Sequence, residues 1–306
     1  MEDKEIMQFH RCLYGVSKSV NRILLFVEDN IKCNVQEIRL RSEKPLTLTL
    51  AGESLYVSKG SIVSKNPQNA YIVSCEDIKE SYKNLTQNSV YSHLREIKQG
   101  YITMRYGCRA GIAGAYSQEG GITHISSINI RISREKTGVA DRLFLKYEGG
   151  GVLIAGKAGS GKTTLLRDFI RQLSNSGKRV AVVDSRGELS ASYMGICHND
   201  LGVNTDVLCG FEKDKGVEIA LRTLYPDFIA FDEIGRIQEV EKIRDCLYTG
   251  ANIITTAHIG SIKQIEKRTV VKELLDLNAI ETFVHLSDVA GEGYEIIGEV
   301  KKLCGN

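Results

Sequence analysis

The chain has 306 residues, 42% of them hydrophobic and 25% charged, which is the composition of an ordinary soluble globular protein and excludes disordered or fibrous classes. Lys and Arg number 40 against 38 Asp and Glu, so the net charge of +2 provides no global attraction to nucleic acid or an anionic membrane. At about 150 residues per domain, the length predicts two domains, each with its own core.

The N-terminus MEDKEIMQFHR lacks the basic-then-apolar order of a signal peptide, and no run approaches the ~20 apolar residues of a membrane-spanning helix; the expectation is a cytoplasmic chain. Cys12, Cys33, Cys75, Cys108, Cys197, Cys209, Cys246 and Cys304 are scattered with no C-x-x-C pair. They are expected to be small buried hydrophobes, not a zinc site or disulfide framework.

Residues 5–29 carry apolar positions at helical spacing (Ile6, Phe9, Leu13, Val16, Val20, Ile23, Leu24), which predicts a helix. VQEIRLRSEKPLTLTLAGESLYVS then alternates with period two around a Lys44-Pro45 break, predicting a strand pair or meander. CEDIKESYKNLTQNSVYSHLREIKQGY returns to helical patterning, and Glu76 and Asp77 suit the positive end of its dipole. YITMRYGCRAGIAGAYSQEGGITHISSINIRISRE supplies two or three strands, with Glu119-Gly120-Gly121 as the turn.

From about residue 150 strands and helices alternate. GVLIAG reads as a strand, KTTLLRDFIRQLSNSG as an amphipathic helix ending at Gly, and RVAVVD as a second strand. After an irregular stretch come DKGVEIALRTLY as helix, DFIAFDE as strand, IQEVEKIRDCLYTG as helix and ANIITTAH as strand. This order predicts a parallel sheet with helices on its faces. The glycines of Glu148-Gly149-Gly150-Gly151 place the joint, giving an α+β domain over 1–147 and an α/β domain over 148–306.

Gly156, Gly161, Lys162 and Thr163 fill the pattern G-x-x-x-x-G-K-[ST] between a strand and a helix. Glycines permit the unusual dihedrals that turn successive N–H groups toward phosphates at a helix N-terminus. The whole loop, Gly156, Lys157, Ala158, Gly159, Ser160, Gly161, Lys162, Thr163 and Thr164, is the candidate ATP cradle. Lys162 is expected on the β- and γ-phosphates and the Thr163 hydroxyl on Mg²⁺. DFIAFDE supplies the acids on another strand tip: Asp232 to hold Mg²⁺ through its water shell, Glu233 to orient or deprotonate the attacking water. His258 ends the next strand, where it can touch the γ-phosphate and report its loss; Thr255 and Thr256 are weaker candidates. Asp184 and Glu188 read two ways: as carboxylates polarising water or supporting Mg²⁺, or as a turn cap and an ion-pair partner of Arg186.

GKAGSGKTTLLRD, VVDSRGELS, NDLGVNTDVL, ALRTLYPDFIAFDEIGR and NIITTAH, in this order and spacing, resemble the stage III sporulation protein AA family. Upstream, QEIRLRSEKPL, KQGYITMRYGCRAGIAG and ISSINIRISRE are similar to that family's N-terminal domain, so the likeness spans nearly the whole chain. The resemblance implies a RecA-like P-loop NTPase domain with a parallel sheet, preceded by a smaller α+β domain. It further implies an ATPase similar to those of secretion and pilus systems: a homo-hexamer in the mother cell of an endospore-forming bacterium. Such a ring would lie peripherally at the inner face of the mother-cell membrane and serve channel proteins facing the forespore. By motif, Lys162 and Thr163 take the Walker A positions, Asp232 and Glu233 the Walker B positions and His258 the histidine-box position, while Asp184 and Glu188 fall in the acidic box. Two departures stand out: Ile259 where the family often has Gly, and SRGEL in place of a more acidic segment, which leaves Glu188 as the distal acid.

Related ATPases place arginines over the γ-phosphate, and a planar guanidinium suits that charge. The resemblance therefore makes Arg131 and Arg134, and more weakly Arg109, candidates; otherwise they are solvated strand-face residues. The competing expectation is an ATP-dependent nucleic-acid-binding protein with a similar core. The near-neutral charge and the lack of an evident aromatic-basic stacking platform argue against nucleic acid as a partner.

Overall fold

The structure, a computed structural model, describes residues 2–117, 121–132, 134–235, 237–260, 268–287 and 293–298. The chain divides into two units, Met1–Arg134 with Ala191–His198, and Glu135–Ser190 with Asn199–Asn306. The division falls upstream of the joint expected near residue 147. Ala140 and Leu143 are the reason, since both are buried in the second unit's core and the Ala140 N–H donates to Asp168 at 2.8 Å.

The first unit contains α1 (Glu2–Cys12), α2 (Lys18–Leu25) and α3 (Asp29–Lys32) in place of the single helix expected over 5–29. Ser17 stops that helix by capping α2, its hydroxyl accepting the Val20 N–H at 3.3 Å. Gly15 leaves room at the break: a Cβ there would lie 2.6 Å from Met104 and 2.8 Å from Leu85. The strands are β1 (Val35–Arg41), β2 (Lys44–Pro45), β3 (Thr47–Leu50), β4 (Glu53–Val57), β5 (Val63–Ser64) and β6 (Ile72–Val73). After α4 (Cys75–Leu85) and α5 (Leu94–Lys98) come β7 (Tyr101–Thr103), β8 (Arg109–Ser117) and β9 (Gly121–Arg131). The long helix expected after residue 75 ends at Leu85, where Gln87 and Asn88 take positive φ.

An antiparallel sheet in the order β5-β4-β3-β1-β9-β8-β7 organises this unit, with β2 and β6 forming a separate pair. Ile38, Leu40, Leu48, Ala110, Ile128 and Ile130 fill the buried face together with Phe9, Leu24 and Ile78 from the helices. Period-two alternation puts Arg39, Arg41, Arg109 and Arg131 on the other face. At the start of α4, Ser74 and Asp77 form a capping box. Asp77 is buried and also accepts from the Ser17 hydroxyl at 2.6 Å and the Tyr71 hydroxyl at 2.8 Å.

The second unit runs α6 (Asp141–Lys146), β10 (Val152–Gly156), α7 (Lys162–Asn175), β11 (Val180–Asp184), β12 (Thr205–Cys209), α8 (Lys213–Thr223) and β13 (Phe228–Phe231). It continues with α9 (Ile237–Thr249), β14 (Asn252–His258), α10 (Thr269–Asp276), β15 (Thr282–Leu286) and β16 (Tyr294–Gly298). The sheet order is β12-β11-β13-β14-β10-β15-β16, parallel except for the β15–β16 pair. The central strands are continuous apolar runs because both faces are covered. Leu165, Leu166, Phe169, Ile170 and Leu173 of α7 close one face, and Val217, Val240, Ile243 and Leu274 from α8, α9 and α10 close the other.

Cys12, Cys33, Cys108 and Cys246 are buried as expected, but Cys75, Cys197 and Cys209 are exposed, and Cys304 lies outside the described residues. Glu119 and Gly120 of the expected turn also lie outside them; β8 and β9 do pair antiparallel. Among the described residues no helix is long and apolar enough to cross a membrane.

Candidate functional site

The carboxyl ends of β10, β13 and β14 converge because these strands are neighbours in parallel register: Gly156 pairs with His258, and Phe231 with Thr255. In the sheet β10 and β11 are separated by β14 and β13, so the chain leaving β10 opens a crevice at the strand tips. A Cβ at Gly156 would lie 2.6 Å from Ser160 Oγ and 3.2 Å from Leu286 Cβ, so a side chain there would force its neighbours to shift. Gly159 and Gly161 take φ of 76° and 101°, which turns the loop into α7. Among the described residues no side chain caps α7, so its first-turn N–H groups suit an anion.

Lys162 Nζ donates to the carbonyls of Gly156 at 3.0 Å and Lys157 at 2.6 Å. Burial lowers its pKa, opposed by the carboxylates of Asp232 and Glu233. The same ammonium lies 3.2 Å from His258 Nδ1. His258 Nε2 lies 3.6 Å from Glu233 Oε1, so the imidazole spans Lys162 and Glu233.

Asp232 collects two hydroxyls. Thr163 Oγ1 donates to Oδ2 at 2.7 Å and Thr256 Oγ1 to Oδ1 at 2.5 Å. The Thr256 hydroxyl also accepts the Glu233 N–H at 2.9 Å. Thr256 is thus a direct anchor of both strand-tip acids. Thr255 points to the other face, is fully buried, and its hydroxyl has no partner among the described residues.

A cavity of about 610 Å³ opens beside these groups, lined by Asp184, Arg186, Glu188, Lys213, Asp232 and Glu233 among others. Asp184 is saturated by its own loop, accepting from the N–H groups of Glu188 (2.9 Å), Leu189 (3.1 Å) and Ser190 (2.8 Å) and from the Ser190 hydroxyl (2.7 Å). Of its two readings, the geometry selects the turn cap. Glu188 lines the cavity, and its carbonyl accepts from Arg167 at 2.8 Å. Arg167, a buried residue of α7 that sequence reasoning missed, also holds the Leu189 carbonyl at 3.1 Å, so the phosphate-loop helix braces the acidic loop.

Arg131 and Arg134 belong to the first unit. Arg134 donates to the carbonyls of Glu5 (3.0 Å), Lys32 (2.7 Å) and Val35 (2.9 Å), which makes it a clamp inside that unit. In this chain the Arg134 guanidinium is engaged with main chain and is not directed at the phosphate loop by any of these bonds. Arg131 is exposed and lies 3.9 Å from Glu37 Oε1, while Arg109, its cross-strand neighbour, stacks over the Tyr101 ring. The first unit also holds Arg11 over Tyr106, and Arg105 over Tyr193.

The family model described as Sporulation stage III, protein AA matches residues 7–303. Stage III sporulation protein AA of Bacillus subtilis (strain 168) is 32% identical over 289 residues, covering 90% of each chain. Among solved structures, the Yersinia pseudotuberculosis ATPase DotB aligns with a TM-score of 0.59 at 15% identity, covering 88% of this chain and 76% of that one. The pilus retraction motor PilT with bound ADP gives a TM-score of 0.59 at 14% identity, covering 86% and 79%. At these identities the structural likeness establishes the fold: a RecA-like P-loop domain of α/β class preceded by an α+β domain. The match over residues 7–303, with its extended identity to the Bacillus protein, places the chain in the Sporulation stage III, protein AA family.

Proposed function

We propose that the chain is a Mg²⁺-dependent ATPase of the secretion type, working in a homo-hexameric ring. Its cycle powers assembly of, or transport through, a membrane channel between mother cell and forespore. The observation that carries the reading is the meeting of Lys162, Thr163, Asp232, Glu233 and His258 at the tips of adjacent parallel strands. Each has a chemical part. The loop Gly156–Thr164 cradles the phosphates, and Lys162 exchanges its carbonyl partners for phosphate oxygens.

Mg²⁺ fits the donor set. The Thr163 hydroxyl and the Asp232 carboxylate are hard oxygen groups already 2.7 Å apart, and magnesium takes much of its shell from water and phosphate. When bound, the ion supplies charge neutralisation at the β- and γ-oxygens. Glu233 accepts the proton of the attacking water, Glu188 polarises the cavity it lines, and His258 senses the γ-phosphate through Lys162 and Glu233. Arg131 is the arginine offered to the γ-phosphate of a neighbouring subunit.

The ring works in the cytoplasm, docked on channel proteins at the inner face of the mother-cell membrane. Two substitutions test the chemistry: Lys162→Ala abolishes nucleotide binding or turnover, whereas Glu233→Gln keeps binding and loses hydrolysis. A Glu233→Gln protein hydrolysing ATP at the parent rate would remove the assigned role. The ring predicts specific activity that rises with protein concentration, and a hexamer mass under ATP and Mg²⁺; a monomer with a flat profile contradicts it. The arginine-tyrosine contacts of the first unit favour nucleic acid as a second reading, although each stack already covers one tyrosine face. Strong stimulation of hydrolysis by single-stranded DNA or RNA at near-physiological salt would put that reading first; unchanged turnover retains the motor.

A further inference from the structure

Glu233 holds a backbone conformation that residues with side chains rarely adopt, with φ of 54°. Such a conformation carries a steric cost and persists where its surroundings enforce it. Here it turns the chain sharply after β13 and brings the Glu233 carboxylate to His258 Nε2, 3.6 Å away. On one side the turn is held by Thr256, whose hydroxyl accepts the Glu233 N–H at 2.9 Å and whose carbonyl accepts the Ile234 N–H at 2.8 Å.

The other side is held by Lys213. Its ammonium donates to the Glu233 carbonyl and lies 3.5 Å from Glu239 Oε1. Glu239 Oε2 in turn accepts the Gly235 N–H at 2.8 Å. Residues 233–235 are thereby closed into a ring with Lys213 and Glu239, and Lys213, Glu233, Gly235 and Glu239 all border the cavity. The Lys213 and Glu239 side chains are 24% and 14% exposed, so this is no solvated surface pair. Nor does α8 account for the lysine: Lys213 is its first residue, where a cation opposes the helix dipole. A local rule broken beside a cavity points to a purpose in the site.

We propose that Lys213 is a positioning residue for water activation, fixing the strained Glu233 peptide so that the carboxylate stays aimed at the attacking water. The inference rests on Glu233 as the base. Among the described residues the polar and ring contacts of Lys213 are with the Glu233 carbonyl, Glu239 and the Phe231 ring, none of them in the phosphate loop. Its removal therefore affects turnover more than nucleotide binding.

Steady-state ATP hydrolysis and fluorescent-ATP binding of Lys213→Met, Lys213→Arg, Glu239→Gln, Glu233→Gln and the Lys213→Met/Glu233→Gln double variant test this. Methionine keeps the apolar stem and removes the donor. Misplacement of a catalytic group by about 1 Å lowers rate roughly a hundredfold, so Lys213→Met is expected to lose about tenfold to a hundredfold in kcat. Its KM and nucleotide affinity stay within about threefold, the range of an interaction felt mainly in the transition state. Lys213→Arg restores part of the rate, and Glu239→Gln shows a smaller loss of the same kind, which carries the test should Lys213→Met fail to fold. The double variant binds nucleotide as Glu233→Gln does, because Lys213 acts through that residue and not on the phosphate loop. Parent-rate hydrolysis by Lys213→Met alongside an inactive Glu233→Gln overturns the positioning role alone. So does a parallel loss of nucleotide affinity, in Lys213→Met or in the double variant relative to Glu233→Gln. Parent-rate hydrolysis by Glu233→Gln instead overturns the reading of Glu233 on which the proposal rests.

Discussion

Thr255 and Thr256 are adjacent, both fully buried, and differ in what their hydroxyls do, so valine at each position gives opposite outcomes. Valine keeps the shape of threonine and removes the hydroxyl. At position 256 the change removes a 2.5 Å bond to the Asp232 carboxylate, about 1.5–3 kcal/mol for a charged acceptor. It also strips the Glu233 N–H of its 2.9 Å acceptor, about 1–3 kcal/mol if nothing replaces it. Asp232 retains Thr163 and the cavity admits water, so a net loss of about 2–4 kcal/mol is expected. With a urea m-value of about 2 kcal/mol/M, the unfolding midpoint of the second unit falls by about 1–2 M. Far-UV circular dichroism in urea measures that shift, and phosphate release measures the accompanying loss of turnover. At position 255 the hydroxyl has no partner among the described residues, and Thr255→Val is expected to be neutral or stabilising. Equal midpoints for the two variants would refute the assignment of Thr256 as the anchor of the acids.

The two candidate arginines separate by assay. Arg134→Ala strands three backbone carbonyls and is expected to destabilise the first unit by about 2–4 kcal/mol in thermal or urea unfolding, whereas exposed Arg131→Ala stays within about 0.5 kcal/mol and lowers turnover alone. Burial pushes the Asp77 carboxyl up, but hydrogen bonds from Ser17, Ser74 and Tyr71 outweigh it and hold the folded pKa below the ordinary value. A depressed carboxylate contributes stability that is full above the unfolded pKa of about 3.9 and is lost as pH falls through the folded value. Urea midpoints of the first unit should therefore fall on acidification below about pH 4, and Asp77→Asn, less stable at neutral pH, should flatten that limb.

Much of the second unit was legible because each functional group sits at the end of a continuous apolar strand. VLIAG before the glycine loop, FIAF before Asp232 and NIITTA before His258 announce buried parallel strands, whose tips must meet. What escaped depends on contacts remote in sequence. Lys213 falls in the irregular stretch before the expected helix and Arg167 reads as an ordinary helix cation, until the fold sets one on the Glu233 carbonyl and the other on the 188–189 main chain. Thr255 and Thr256 differ only in the face they occupy, which sequence identity does not assign. Arg131 and Arg134 share one motif, yet only the fold shows that Arg134 is committed to carbonyls. In the first unit the break before α2 was signalled by Ser17 and Gly15, but the apolar periodicity running across them concealed it. The return of Ala191–His198 to the first unit had no local signal at all.

The central claim is that Thr163 and Asp232 hold Mg²⁺ while Glu233 activates water at a nucleotide cradled by Lys162. Phosphate release from ATP by the full chain, at protein concentrations that allow assembly, tests it most directly when run with Mg²⁺, with EDTA, and with Mg²⁺ restored. The account predicts turnover that EDTA abolishes and added Mg²⁺ recovers, with none from Lys162→Ala under any condition. Hydrolysis indifferent to EDTA, or tight ATP binding with no phosphate released in any assembly state, would contradict it.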